Sequence, residues 1–213
     1  MRTVLVHEKP VELDLGELRR RLIQRSPGVF SVYGDEGAGR AAAPATPASV
    51  LVPLVAHPRE LTVLFTQRTT QLRNHSGQVS FPGGRAEPHD PTPEFTALRE
   101  AQEEIGLPTE RIEVLARLPD YFTRTGFRVT PVVGLLEPPL VLRPDPREVD
   151  EVFEVPLAFL LDPKNHERRT REWQGRSVGY YVMQYESRVI WGATAAMLVN
   201  LYRQLAGAPA QAV

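Results

Sequence analysis

The spacing of apolar and polar positions changes along this 213-residue chain and predicts where its helices and strands lie. Residues 13–24 carry leucine and isoleucine at helical intervals between charged positions, which predicts a short amphipathic helix. Residues 34–47 are rich in glycine, alanine and proline without periodicity, which is typical of a surface loop. From residue 48 onward, the apolar positions are dense enough to build a core.

Apolar runs bounded by turn residues predict strands through the rest of the chain. Strands are predicted at residues 48–57, 61–68, 78–84, 112–122 and 127–137. Residues 148–162 are predicted to form a strand followed by a helical turn, and residues 177–192 a strand or hairpin. A closing helix is predicted at residues 193–207 and ends at Gly207. Strands on both sides of a central helix indicate an α/β fold with a mixed β-sheet between helical layers. We expect one domain over residues 1–213, with residues 1–47 as a helix-and-loop extension of the core at 48–213, because about twenty helical residues cannot bury a core alone.

The central helix is predicted to begin at Pro93, with Thr92 as its cap, and to end at Gly106, which suits the left-handed position after a helix. Its apolar stripe is expected to pack on the sheet, and consists of Phe95, Leu98, Ala101 and Ile105.

Three acidic residues share another face of this helix. Glu100, Glu103 and Glu104 stand at i, i+3 and i+4, and we expect them to point away from the core. Each like-charge pair at i, i+4 costs an isolated helix roughly 0.2–0.5 kcal/mol. Two interpretations stay open on the helix alone: a solvated charged face, or a site for Mg²⁺ or Mn²⁺, which prefer carboxylate ligands.

Composition narrows the class of protein. The net charge of −1 disfavours a broad nucleic-acid surface, and the absence of cysteine excludes disulfides, thiolate metal sites and a cysteine nucleophile. No apolar run approaches the roughly 18 residues of a transmembrane helix, and the first ten residues have too short an apolar segment for a signal peptide. We therefore expect a cytoplasmic protein without nucleic-acid or membrane partners.

The acidic helix and the segment before it, residues 64–84, each match a sequence pattern of a known family. Residues 99–107, REAQEEIGL, match the second half of the Nudix box, G-x5-E-x7-R-E-U-x-E-E-x-G-U, in which U is a bulky aliphatic residue. The first half departs: 14 residues separate Gly84 from Arg99, one more than in the standard box. The chain thus resembles a Nudix hydrolase. The role of the glutamate in the first half of the box is expected to be filled by Glu87 or Asp90, and the sequence does not choose between them.

Residues 64–84 resemble the signature of one branch, the coenzyme A pyrophosphatases, which also has the longer spacing. The signature is L-[LF]-T-x-R-x4-R-x3-G-x3-F-P-G-G, and its matches here are Leu64, Phe65, Thr66, Arg68, Arg73, Gly77 and Phe81 to Gly84. The resemblance implies hydrolysis of the pyrophosphate in coenzyme A or its derivatives, dependent on Mg²⁺ or Mn²⁺. The small-molecule partner would then be a nucleotide derivative.

The family box also implies roles for the acidic helix. Glu100, Glu103 and Glu104 would hold the metal, and Glu103 is also assigned to catalysis. Arg99 precedes Glu103 by four residues and would orient that carboxylate, although an ordinary surface ion pair explains it equally well. The general base is assigned to Glu148.

The neighbouring acids Asp150 and Glu151 are alternatives to Glu148, and a solvated loop explains all three equally well. Substrate contacts are expected from Arg68 and Arg73, whose guanidinium groups suit phosphates. They are also expected from Gly83 and Gly84, which let the backbone approach a ligand.

Three other functions stay open. The same chemistry could act on ADP-ribose, NADH or a nucleotide sugar, because the helix addresses only the pyrophosphate. A Nudix module could bind a nucleotide without cleaving it, although three intact carboxylates disfavour this. The acidic face could instead dock a basic partner protein.

Overall fold

The computed structural model describes residues 13–24, 45–70, 77–173 and 175–206. The strands are β1 Thr46–Ala56, β2 Leu61–Arg68, β3 Val79–Ser80, β4 Gly83–Arg85, β5 Glu113–Arg117, β6 Tyr121–Phe122, β7 Phe127–Leu136, β8 Val149–Pro156, β9 Glu167–Trp173, β10 Arg176–Tyr185 and β11 Arg188–Trp191. The helices are α1 Leu15–Gln24, α2 Pro93–Ile105, α3 Leu157–Leu160 and α4 Gly192–Ala206.

A mixed sheet of eight strands forms the centre of the fold. Strand β1 pairs in parallel with β7 along one edge, and antiparallel with first β4 and then β2 along the other. The sheet order is β3-β2-β1-β7-β5, with β8 on β2 and β6 on β7. A parallel pair inside an otherwise antiparallel sheet needs a long connection, which contains α2 here. The predicted α/β fold with a mixed sheet between helices is confirmed.

Each face of the sheet is covered by helices. Helix α2 packs on one face through Ala97, Ala101 and Ile105, which are fully buried. Helices α1 and α4 cover the other face, and the side chain of Arg21 on α1 donates a 2.6 Å hydrogen bond to the carbonyl of Leu205 on α4. The acidic residues of α2 therefore lie on one side of the sheet only.

The predicted ends of α2 are confirmed. The Thr92 hydroxyl accepts a hydrogen bond from the Phe95 amide at 3.2 Å, Pro93 is the first helical residue, and Gly106 has a φ of 66°. A residue with a Cβ at Gly106 would also meet Arg143, which crosses the end of the helix. Because α2 ends immediately before Gly106, the glutamates lie in the last turns of the helix.

Several sequence expectations need correction. Phe95 is 49% exposed, and Ala97 takes its place in the buried stripe. Strand β1 begins at Thr46, so the core starts inside the stretch expected to be loop. The paired glycines begin a separate strand, β4, rather than ending β3. Residues 34–44 and Gly207 lie outside the described residues.

A second sheet was only partly foreseen. Residues 177–192 form the expected hairpin as β10 and β11, and β9 joins them as a third antiparallel strand. The sequence of β9, ERRTREW, lacks the apolar alternation of a half-buried strand because its described side chains are exposed. No helix in the described ranges is long and apolar enough to cross a membrane.

We predict that α1 contributes to the stability of the core. Leu22 is 1% exposed, and Leu22→Ala should lower the free energy of unfolding by about 2–5 kcal/mol, because it leaves a cavity between α1 and the sheet. The neighbouring Ile23, 65% exposed, is the matched control, and Ile23→Ala should change it by less than about 0.5 kcal/mol. Urea denaturation measures both, and equal effects would show that α1 does not share the core.

Candidate active site

The three glutamates of α2 are not equivalent, and one of them is buried. Glu104 is 4% exposed, which corrects the expectation that all three point away from the core. One of its carboxylate oxygens accepts a 3.3 Å hydrogen bond from the amide of Gly83, and the other lies 3.4 Å from the guanidinium of Arg68. Burial raises the pKa of Glu104 to about 7, against the opposing effect of these two contacts. Its negative charge is therefore costly in the folded protein.

Glu100 faces the same glycine turn. Its carboxylate lies against Gly84 so closely that a Cβ built on this glycine would be 2.5 Å from a Glu100 oxygen. Burial raises the pKa of Glu100, while the adjacent Arg99, 2.9 Å away, acts to lower it. The carboxylates of Glu100 and Glu104 thus both contact the turn formed by Gly83 and Gly84.

Glu103 is held differently. Its side chain is 60% exposed and accepts a 3.0 Å hydrogen bond from Arg99. The same guanidinium binds Glu100 and also donates to the carbonyl of Arg85 at 3.2 Å. Arg99, only 17% exposed, thereby joins two of the expected metal ligands to strand β4.

Of the two acids considered for the early glutamate position, Asp90 is the one that contacts Arg99. Asp90 has its side chain 3% exposed and accepts hydrogen bonds from Arg99 at 2.8 and 3.2 Å, from the Thr96 hydroxyl at 2.9 Å and from the Glu87 amide at 2.9 Å. The hydrogen bond from Arg99 is the main reason that the pKa of Asp90 lies far below its usual value. The Glu87 side chain is exposed. Asp90 is the acid that fixes Arg99.

The three acids near the start of β8, which are Glu148, Asp150 and Glu151, have different partners. A carboxylate oxygen of Glu148 lies 4.0 Å from Arg68, and its charge contributes to raising the pKa of Glu104. Asp150 accepts a hydrogen bond from the amide of Thr70 at 3.3 Å. Glu151 instead pairs with Arg188. Of the three, Glu148 faces the acidic helix.

The structure describes three of the four residues that are expected to contact the substrate. Gly83 and Gly84 form the turn beneath the glutamates, and the described side-chain contacts of Arg68 are with Glu104 and Glu148. Arg73 lies outside the described residues. A Cβ at Gly83 would come closer than 3.0 Å to the backbone of β1 at Ser49 and Val50, which explains why this position requires glycine.

The donor set fits a hard dication. Glu100 and Glu104 bring only oxygen ligands to one turn, and both have a raised pKa because their charges are insufficiently solvated there. Within the described ranges, no three His, Cys, Asp or Glu side chains already meet as a metal cluster. Glu103 would have to leave Arg99 to join the other two.

The chain is similar to known proteins in sequence and in fold. The NUDIX domain family model matches residues 45–174. A protein described as uncharacterized Nudix hydrolase NudL from Photorhabdus laumondii is 40% identical over 158 residues, covering 74% of this chain and 84% of the relative. One with the same description from Yersinia enterocolitica is 38% identical over 187 residues, covering 88% and 90%. Among solved structures, the Nudix hydrolase RenU from M. smegmatis is 26% identical, with a TM-score of 0.43 over 53% of this chain and 71% of that chain.

The chain belongs to the Nudix family of hydrolases. It is an enzyme that acts on a pyrophosphate-containing substrate, as predicted from residues 64–107. Members of the family act on small nucleotide derivatives and generally use divalent metal ions such as Mg²⁺ or Mn²⁺.

Gly84→Ala tests how closely the turn contacts Glu100. Its added Cβ would push the Glu100 carboxylate aside, so we expect at least about a tenfold loss in kcat/KM and less than about 1 kcal/mol of lost stability, because only the end of a flexible side chain moves. Gly16→Ala on α1, outside the site, is the control, since its Cβ would meet only the flexible side chain of Asp14, at 3.3 Å. Full activity in Gly84→Ala would contradict the assignment.

Asp90 and Glu87 provide a matched pair in one loop. Asp90→Asn should lower the free energy of unfolding by about 1.5–3 kcal/mol, because a charged hydrogen bond to Arg99 is lost, and should also lower kcat. Glu87→Gln should leave both unchanged. Thermal unfolding and steady-state kinetics measure the two effects. Identical behaviour of the two variants would show that Asp90 is not the acid that fixes Arg99.

Proposed function

We propose that this enzyme hydrolyses the pyrophosphate bond of coenzyme A or acyl-coenzyme A in the presence of Mg²⁺ or Mn²⁺. The products would be 4′-phosphopantetheine, or its acylated form, and adenosine 3′,5′-bisphosphate. One observation carries the proposal: residues of the two sequence patterns contact each other. Arg68 and Gly83, from the 64–84 signature, both contact Glu104, from the acidic helix.

Glu100, Glu103 and Glu104 are the residues proposed to hold the metal. A bound dication would neutralise charge on the pyrophosphate and lower the pKa of a coordinated water. Arg99 keeps Glu100 and Glu103 in position through its contact with Asp90. The rigid scaffold lets the carboxylates meet the diphosphate without first ordering a loop.

Glu148 is proposed as the general base. Its side chain is 47% exposed, so water and substrate can reach it, and it faces Arg68 beside the acidic helix. Arg68 is proposed to contact substrate phosphate as well as Glu104, and the glycine turn lets the substrate approach the backbone. Arg73 is also proposed to contact substrate phosphate, on the basis of the 64–84 signature alone.

The closest rival keeps this chemistry and changes the substrate to ADP-ribose, NADH or a nucleotide sugar. An acidic face that docks a basic protein is disfavoured by the burial of Glu104, because a docking face would be exposed. A nucleotide-binding module without catalysis is disfavoured because the chain belongs to a family of hydrolases. The single domain over residues 1–213 and the cytoplasmic location stay predictions.

A substrate panel tests the choice of coenzyme A. Purified enzyme with Mg²⁺ or Mn²⁺ should give its highest kcat/KM with coenzyme A or an acyl derivative, compared with ADP-ribose, NADH and dinucleoside polyphosphates. Product analysis should find adenosine 3′,5′-bisphosphate, and EDTA should abolish turnover. Equal or faster cleavage of ADP-ribose would refute the substrate assignment.

Glu104→Gln should separate stability from activity. Removing the charge should reduce kcat by at least about a hundredfold, because a metal ligand is lost. Without metal, the variant should be as stable as wild type at pH 4 and up to about 3 kcal/mol more stable above pH 7. The reason is that the pKa of Glu104 is 4.5 for the free side chain and about 7 in the folded protein, so wild type loses stability as the pH rises from 4.5 to 7.

The control for this variant is Glu110→Gln, an exposed acid outside the site. It should leave activity and the pH dependence of stability unchanged. Urea titrations in EDTA at pH 4, 6 and 8 measure the stabilities. Wild-type turnover in Glu104→Gln would exclude this residue from the metal site.

A further inference from the structure

The connection between β7 and β8 crosses the end of the acidic helix. The amide of Asp145 donates a 2.8 Å hydrogen bond to the carbonyl of Glu104, and the amide of Arg143 donates one of 2.8 Å to the carbonyl of Ile105. The last carbonyls of a helix have no partner inside it and need donors from elsewhere. The connection supplies two such donors, so it is attached to the turn of α2 that carries Glu104.

Asp145 also begins the tight turn that leads to Glu148. Its carbonyl accepts hydrogen bonds from the amides of Glu148 at 3.0 Å and Val149 at 2.9 Å. Its carboxylate accepts one from the amide of Arg147 at 2.9 Å, which closes an Asx turn. The Arg147 guanidinium binds the same carboxylate, with Nε 3.0 Å from each oxygen. One residue therefore joins the backbone of Glu104 to that of Glu148.

The backbone of Glu148 is also held from its other side. Its carbonyl accepts a 2.9 Å hydrogen bond from the amide of Thr69, which follows β2. The next residue, Val149, is 3% exposed and packs in the same core cluster as Ala101 and Ile105 of α2. The side chain of Glu148 is 47% exposed but starts from a backbone that is bound on both sides. The position of its carboxylate therefore depends on the Asp145 turn as well as on β2.

We infer that Asp145 is a positioning residue, which sets the distance between Glu148 and the carboxylate of Glu104. The inference rests on the proposed function, in which Glu148 is the general base and Glu104 holds the metal. A general base works only within hydrogen-bond reach of the proton that it removes, and a misplacement of about 1 Å can cost on the order of a hundredfold in rate. Asp145 acts through the backbone of Glu148, because its own carboxylate is bound to Arg147.

Two substitutions at Asp145 separate the turn from the ion pair. Asp145→Ala removes the acceptor for the Arg147 amide and should lower kcat at least about tenfold, because Glu148 is no longer held in place. KM should change by less than about threefold, because Glu148 is not among the proposed phosphate contacts. Asp145→Asn keeps an oxygen acceptor for the turn and loses only the ion pair, so it should retain kcat within about threefold.

Asp162 provides a matched control beyond the opposite end of β8. Its carboxylate accepts a hydrogen bond from the amide of Lys164 at 3.0 Å, and its carbonyl accepts one from the amide of Asn165 at 3.0 Å, so its turn is of the same kind. It follows α3, whereas Glu148 immediately precedes β8. Asp162→Ala should therefore retain the wild-type kcat. A loss of kcat in Asp145→Ala no larger than that in Asp162→Ala would overturn the assignment.

Amide hydrogen exchange tests the turn without any turnover. In EDTA, the amides of Glu148 and Val149 should exchange at least about tenfold faster in Asp145→Ala than in wild type, because the carbonyl that they bind is no longer fixed. The same amides in Asp145→Asn should exchange at the wild-type rate, and unchanged exchange at Leu51 in β1 should show that the fold is intact. Wild-type exchange at Glu148 in Asp145→Ala would overturn the inference.

A double-variant cycle distinguishes this inference from the proposed function. Kinetics use the substrate with the highest kcat/KM in the panel above, so the outcome does not depend on the choice of coenzyme A. If Asp145 acts through Glu148, then Asp145→Ala should lower kcat by less than about twofold in a Glu148→Gln background.

The outcomes of the cycle separate the two claims. The full loss of kcat from Asp145→Ala in both backgrounds would overturn the positioning role alone. Absence of coenzyme A hydrolysis, with another substrate cleaved and the cycle as expected, would refute the proposed substrate alone. A wild-type kcat in Glu148→Gln would remove Glu148 as the general base, and the positioning role of Asp145 with it.

Discussion

The burial of the Glu104 carboxylate is the constraint on which the site depends. A charged group removed from water needs compensating partners, and Glu104 has the amide of Gly83 and the guanidinium of Arg68. These are not sufficient, since its pKa remains raised to about 7. A deficit of positive charge at the end of a rigid helix is the physical condition that favours a dication there.

Two arginines divide the negative charge of Glu100, Glu103 and Glu104 between them. Arg99 binds Glu100 and Glu103 and is itself fixed by Asp90. Arg68, arriving from β2, faces Glu104. This division leaves the glutamates ordered while limiting their mutual repulsion. Gly84 then lets the backbone approach the Glu100 carboxylate more closely than a residue with a Cβ would permit.

The acidic helix contacts the glycine turn and also borders a cavity. Under the proposed function, the acidic helix and the glycine turn act on a diphosphate, which is common to many nucleotide derivatives. The cavity beside Glu100 is lined by residues near the starts of β1 and β7 and by the loop before α2.

The sequence by itself determined the α/β class, the ends of α2 and the family, because helical periodicity, capping residues and the spacing of the two patterns are local properties. It did not determine that Glu104 is buried, that Asp90 rather than Glu87 fixes Arg99, or that a cavity lies beside Glu100. The burial of Glu104 depends on contacts with Gly83 and Arg68, and the choice of Asp90 depends on how the loop before α2 folds back onto Arg99. The cavity depends on the parallel pairing of β1 with β7. Local patterns specify which elements form, and only the packing of those elements decides which charges meet and which are removed from water.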